Sequence, residues 1–257
     1  MKKLLGVLAV LVIIGAIGIF VLSKSAGKII QTGVEKLGPE IAQVEIELAG
    51  ADVSFLSGGG ELRGLKVHNP EGYDGEHAFY ADHLSLDLQP MSVLSDKIVI
   101  DEILIIGPDI QFEQRLKSSN LNQILENIQA YMGPAEEEQE TEKTGKKLEI
   151  KRFVLKDAKV GVGVGTKPIS ITLPTIELTD LGSGEEGITA GEVVGAMMTE
   201  VMGQIIAEIA KNPEIILQTG GDLLKGVGDS GGNALKKLGG LFGGGSDKDE
   251  EKKDDGQ

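Results

Sequence analysis

Residues 97–112 (KIVIDEILIIGPDIQF) and 147–162 (KLEIKRFVLKDAKVGV) place their apolar side chains at the same positions, fifty residues apart. Ile98, Ile100, Ile103, Ile105, Ile110 and Phe112 correspond to Leu148, Ile150, Phe153, Leu155, Val160 and Val162. Each run opens with steps of two, three and two. The rhythm returns at Ile171, Leu173, Ile176 and Leu178, and more weakly at Ile46, Leu48, Ala51 and Val53; Leu62, Leu65 and Val67 fit its second half. Alternation by two marks a strand, because successive side chains point to opposite faces. A step of three would turn every later side chain to the wrong face unless the backbone absorbs it. A β-bulge does so, and so does a tight turn between two short strands. Either device keeps one face apolar through a curved sheet.

Other segments extend the pattern. Tyr80, Leu84, Leu86 and Leu88 form a greasy face opposite His83, Ser85, Asp87 and Gln89. Val160, Val162 and Val164 alternate with glycines, and Pro90–Ser95 reads as a turn or single helical turn. Ser118 and Ser119 cap a predicted helix over 120–131 with Leu121, Leu125 and Ile128 on one side. Thr189-Ala190-Gly191-Glu192 has the form of a capping box and opens a helix to about Lys211. Val194, Met198, Val201, Ile205 and Ile209 are its predicted apolar face, and Met197, Met198 and Met202 offer an adaptable lining.

The apolar residues are unevenly spread over the 257 positions. Leu4–Leu22 is uncharged and, as a helix, spans about 28 Å at ~1.5 Å per residue, close to the ~30 Å of a hydrocarbon core. It is longer than the apolar region of a signal peptide, and Ser23-Lys24-Ser25-Ala26 is a poor cleavage site, so an uncleaved anchor is the preferred reading. The absence of Cys excludes lipid attachment at a cysteine and suits an oxidising compartment. Lysines flank the anchor on both sides, so orientation rests on the simplest topology, with the short amino end inside and the rest exported.

The formal charge of −15 includes no basic stripe and argues against nucleic acid as a partner. Part of it lies in 134–147 and 246–257, which have linker and tail composition and are expected to be disordered. Between them, 213–245 pairs leucines and lysines with many glycines, a marginal amphipathic segment. Catalytic motifs are missing: no GxSxG, no Walker loop, no Cys nucleophile, no HExxH. Convergence of His77, Asp82 and His83 on a metal is one reading, but polar residues on a wet strand face are the simpler one. No cofactor is expected, and an enzyme is disfavoured.

An anchor followed by Gly64–Gly72 (GLKVHNPEG), then 81–88 (ADHLSLDL), 98–103 (IVIDEI), 107–113 (GPDIQFE) and Asn120-Leu121-Asn122, resembles the amino-terminal region of the AsmA-like proteins. The resemblance covers about residues 1–180 and is one of strand pattern rather than reactive motif. It implies a bacterial inner-membrane anchor, a periplasmic twisted sheet with a hydrophobic groove, and a part in outer-membrane biogenesis. Eight or nine strands at ~4.8 Å would give a groove of about 40 Å, shorter than a bridge between membranes. The Asn-Pro turn also resembles the water-stress β-sandwich, which supplies a second fold.

The expected fold is therefore mainly β with added α. A single transmembrane helix (1–27) precedes a curved antiparallel sheet in two units, 28–133 with a closing helix and 148–212 with the long helix. The expected function is binding of lipid acyl chains in the apolar groove by Leu84, Leu86, Ile98, Ile100, Ile103, Ile105, Leu148, Ile150, Phe153 and Leu155. The alternative is a non-enzymatic scaffold contacting envelope proteins.

Overall fold

The structure is a computed structural model, and it describes residues 27, 28, 30–54, 57–115, 118–132, 146–163, 168–212, 214 and 215. The predicted membrane anchor, most of the acidic linker, the Gly-rich segment beyond 215 and the charged tail lie outside the described residues. Lys147, placed in the linker by the sequence, already belongs to a strand.

Nine strands form one sheet: β1 (Ile46–Val53), β2 (Gly59–Val67), β3 (Phe79–Leu88), β4 (Lys97–Ile106), β5 (Asp109–Glu113), β6 (Lys147–Lys156), β7 (Lys159–Gly163), β8 (Ile169–Thr172) and β9 (Ile176–Leu181). Helical residues 30–42 (α1) precede β1; α2 (Asn120–Met132) joins β5 to β6, and α3 (Ala190–Lys211) follows β9. The fold is α+β. The strands belong to one sheet rather than two, so the described residues do not form the alternative sandwich.

The strand registers show how the nine segments combine. Phe79↔Ile110 and Tyr80↔Asp109 continue the register of Leu84↔Ile105, so β4 and β5 are halves of one long strand broken at Gly107-Pro108. β6 and β7 likewise form one strand broken at Asp157-Ala158. Against them, β9 and β8 form another, broken across Leu173–Thr175. The sheet is thus six ribbons wide, β1, β2, β3, β4/β5, β6/β7 and β9/β8, in sequence order. Five spacings of ~4.8 Å make it about 24 Å across, narrower than the expected 40 Å.

The fifty-residue repeat is itself a pairing register. Ile98↔Leu148, Ile100↔Ile150, Ile103↔Phe153, Ile105↔Leu155, Ile110↔Val160 and Phe112↔Val162 are partners in a parallel ladder. The sheet is therefore mixed, which corrects the antiparallel expectation. A parallel pair needs a crossover of a dozen or more residues, and the stretch containing α2 supplies it. The two β units predicted from sequence meet in this ladder.

A step of three is a fold line shared by the ribbons, although in β4/β5 and β6/β7 it falls at Ile105→Pro108 and Leu155→Ala158, beyond the Ile100→Ile103 and Ile150→Phe153 steps read from the sequence. Leu48→Ala51, Leu62→Leu65, Ala81→Leu84, Ile105→Pro108, Leu155→Ala158 and Leu173→Ile176 lie side by side in register. Gly64 (φ 60°), Gly107 (φ 64°) and Asp157 (φ 53°) take left-handed backbone there. Because neighbours skip together, the ladder continues: Gly107 N–H donates to Lys156 O (2.8 Å) and Lys159 N–H to Pro108 O (2.9 Å). Only at Asp87/Leu88, where β3 has no skip to match Ile100→Ile103, does the β3–β4 register shift.

One face of the sheet is covered by helices. α2 buries Leu121, Ile124, Leu125 and Ile128, the i, i+3, i+4, i+7 face of an amphipathic helix. Ser119 caps it, its Oγ accepting from Asn122 N–H at 3.1 Å. The capping box at Thr189 is present, with Thr189 Oγ1 accepting from Glu192 N–H (3.2 Å) and Glu192 Oε2 from Thr189 N–H (2.6 Å). The buried face of α3 carries Val193, Met202, Ile205 and Ile209, whereas Val194, expected inside, is 37% exposed. Among the described helices, α3 alone is long and apolar enough to cross a membrane. It is not amino-terminal, and its buried face packs into the protein core, so the described residues do not bear out the amino-terminal span.

Candidate functional site

The ten apolar positions singled out from the sequence do lie on the helix-covered face, but they divide. Leu84, Ile105, Ile150, Phe153 and Leu155 are 1–8% exposed and belong to the core beneath α2 and α3. Their place as open groove residues is thereby corrected: neighbouring protein fills the space against them. Leu86, Ile98, Ile100, Ile103 and Leu148 are only half-buried.

The half-buried five are neighbours. Leu86 pairs with Ile103, Ile98 with Leu148, and Ile100 with Leu88 and Ile150. They make an apolar stripe at one end of the central ribbons. Cover thins there because α3 rests on β6 and β9 and α2 on β5, while the stripe runs mainly along β3 and β4. Val53 and Leu88 are buried at the same end with Ile30, Leu86, Val93 and Ile100 packed around them. From α3, Met197, Met198 and Val201 join the surrounding cluster, also half-buried. Side chains of this size gain roughly 1.5–3 kcal/mol each on full burial, so an apolar occupant completing their cover is favourable.

The stripe lies where the chain enters from its amino-terminal segment. Gly27 is buried so closely against β1 that a Cβ there would sit 1.9 Å from Ala51 O. Ile30, three residues on, packs against the same Val53–Leu88 pair as the stripe's Leu86 and Ile100. The connection Pro90–Leu94, a 3-10 turn between β3 and β4, closes the same end.

A polar cluster ties the opposite end. Asn69, from the Asn-Pro turn, donates through Nδ2 to Gly75 O (2.8 Å) and His77 O (3.2 Å). Asn120, fully buried, donates to Asn69 Oδ1 (2.7 Å) and Gln111 O (2.7 Å) and accepts from Glu113 N–H (3.0 Å). The buried Glu113 carboxylate accepts from Asp74 N–H (2.9 Å) and pairs with Arg115 (2.6 Å). Three of the quoted sequence motifs, 64–72, 107–113 and 120–122, thus meet in a network that joins a turn to the start of α2.

The outer face carries ion pairs among apolar positions such as Leu104, Val154 and Ile106. The parallel register sets Asp101 beside Lys151 (2.7 Å) and Glu102 beside Arg152, which also reaches Glu177 (2.7 Å). Hydrogen bonds from Lys151 and Gln89 hold Asp101 below the usual carboxylate range, and the Arg152 bond does the same for Glu177. His77, Asp82 and His83 do not gather on one point. His77 Nε2 lies 3.1 Å from Asp109, and His83 Nδ1 lies 2.7 Å from Glu61. Sequence reading missed another grouping, Glu45, Glu47 and His68, whose ligand atoms lie within 4.8 Å of one another. Its signal was an alternating Glu-x-Glu opposite a histidine in the β1–β2 pair, and it rests as a His68–Glu47 contact of 3.1 Å.

Comparison with family models, curated proteins and solved structures finds no match for this chain.

Proposed function

We propose that this chain is a membrane-anchored envelope protein that holds lipid acyl chains on the half-covered stripe of Leu86, Ile98, Ile100, Ile103 and Leu148. One observation carries the reading: apolar cover is incomplete at the end of the sheet where the chain arrives from the apolar segment 4–22. The resemblance to AsmA-like proteins supports the same reading and gives the inner membrane as the site of the anchor, with the folded domain in the periplasm. A sheet six ribbons wide is too small to bridge two membranes, so the role proposed is holding lipid beside the inner membrane. No enzymatic step is proposed.

The test is a photo-crosslinking amino acid placed at Ile100 in the full chain, in cells with radiolabelled phospholipid. A lipid adduct at Ile100, absent when the same group replaces buried Ile150, is the expected result. Adducts only with protein would sink the lipid reading. The scaffold reading has its own support, because five of the ten apolar residues are sealed inside the core. It predicts protein adducts at Ile100 and none with lipid.

A further inference from the structure

The turn between β3 and β4 carries two large apolar side chains with no cover. Met91 is 77% exposed and Leu94 is 81% exposed, the most exposed of the large hydrophobics among the described residues. Single exposed apolar residues are ordinary on a protein surface. A pair at the tip of a five-residue turn, at one chosen end of the molecule, asks for a reason.

The turn is held rigidly. Ser92 Oγ donates to Gln89 O (2.6 Å) and accepts from Val99 N–H (2.9 Å). Ser95 Oγ lies within hydrogen-bond distance of two carbonyl oxygens, Ser92 O (2.7 Å) and Lys97 O (2.6 Å), and gives its one proton to one of them at a time. Lys146 Nζ reaches across to donate to Val93 O and to Ser95 O. Val93 itself turns inward onto Val53 and Leu88, beside Ile30 of α1. Met91 and Leu94 therefore point away from a fixed base, within a few side chains of the place where the chain enters the fold at Gly27.

The charges around the turn are mixed. Lys28 is exposed at the start of α1, and the ammonium of Lys146 contacts backbone carbonyls at the base of the turn. Lys97 is occupied by Glu149 (2.6 Å), and Asp52 by Arg63 (2.5 Å). Asp96 is an exposed acid at this end, and so are Glu185 and Glu186 in the loop whose Gly184 O accepts from Lys97 (3.1 Å). Lysines and acids alternate around the tips, so it is the two bare apolar side chains on their fixed base that suit the boundary between headgroups and acyl chains.

We propose that the Pro90–Leu94 turn inserts Met91 and Leu94 into the bilayer interface, holding the half-covered stripe against the membrane. The inference deepens the anchored reading above and adds to it a second point of membrane contact. A lipid leaving the bilayer beside this turn would meet Leu86, Ile100 and Ile98 without crossing water.

The chain has no Trp, so single tryptophans report without background. Full-length Leu94→Trp is reconstituted into phosphatidylcholine–phosphatidylglycerol vesicles, with and without phosphatidylcholine brominated near the headgroup end of its acyl chains. Two further variants calibrate it. Leu37→Trp replaces another exposed side chain, ten residues along the helix from Gly27 and about 15 Å away. Phe20→Trp reports on the anchor. The expected result is blue-shifted Leu94→Trp emission that loses most of its intensity with brominated lipid, while Leu37→Trp stays red-shifted and unquenched. Leu94→Trp that behaves like Leu37→Trp overturns the inference, and would leave this turn to a protein partner. Phe20→Trp is read separately: quenching there with none at residue 94 keeps the anchor and removes the contact. Quenching at residue 94 without it at residue 20 keeps the contact and removes the anchor. Met91→Trp repeats the measurement on the second side chain and must agree with the first.

Discussion

At residue 157 an aspartate occupies a backbone conformation that its counterpart fifty positions earlier, Gly107, adopts without strain. Left-handed φ crowds a Cβ against the following carbonyl, and Asp tolerates this better than most residues without being free of it. Asp157→Gly is therefore expected to leave stability unchanged or raise it by up to about 1 kcal/mol, whereas Asp157→Val should lower it by at least that much. Urea unfolding measures both. At Gly64 the penalty is compounded, because an added Cβ would lie 2.8 Å from Ala49 Cβ across the ladder. The other exacting residue is Asn120, whose amide joins Asn69, Gln111 and Glu113 with no surface exposed. Asn120→Ala strands several buried partners and should cost on the order of 1–3 kcal/mol, visible as a lower urea midpoint.

Helix α3 shows what a single element contributes and what its sequence conceals. Its capping box satisfies orphan donors at the amino end, so Thr189→Ala is expected to cost about 1 kcal/mol in chemical denaturation. The box was legible in the sequence because it is a local code. The face that α3 buries was legible in part: Ile205 and Ile209 are buried and Met198 and Val201 pack against the core as expected, but Val193 rather than Val194 was chosen by the packing against α2 and β9. Strands show the same division. Spacing of Ile98 to Phe112 and of Leu148 to Val162 disclosed their shape and shared fold line, but a spacing is the same whether two strands run parallel or antiparallel. Only the connection decides, and α2 makes it a crossover. The complementary charges Asp101/Lys151 and Glu102/Arg152, each at the fifty-residue offset, were the overlooked sign that the repeats lie abreast. Helix α1 was overlooked although Ile30, Val34, Leu37, Ile41 and Val44 recur at steps of four and three, because Gly33, Gly38 and Pro39 interrupt that stripe and read as breakers. These charge pairs also set a pH dependence. Asp101 has its folded pKa lowered chiefly by the Lys151 hydrogen bond, so its contribution is complete above the unfolded carboxylate range and fades as pH falls through the folded value. Stability of the wild type should therefore drop on acidification below about pH 4, and the drop should be shallower in Asp101→Asn, as urea midpoints across that range would record.

For the whole molecule, the consequence is a gradient of cover along one face of one sheet. Near the fold line the apolar residues are closed by α2 and α3; toward the entry of the chain they are half open, and the exposed turn stands beside them. Two forces fix this gradient. Buried residues such as Ile150 are worth about 2–5 kcal/mol against truncation to Ala, so the closed part cannot open without unfolding the domain. The open part is only partly covered by protein and keeps the smaller, uncovered share of its gain for an occupant. Truncation at Ile100 should accordingly destabilise by a smaller amount than at Ile150. Amide exchange separates the two regions without any mutation. In detergent, peptides covering 97–103 and 86–89 should exchange faster than those covering 150–155: all three have strand neighbours on both edges, but only over 150–155 is the cover of the face complete. On transfer to phospholipid nanodiscs, the first set should slow while the second stays constant, because lipid adds cover only where protein left it out. Equal slowing in both sets would mean a global change in stability instead, and no slowing at 97–103 would leave the stripe without a lipid occupant.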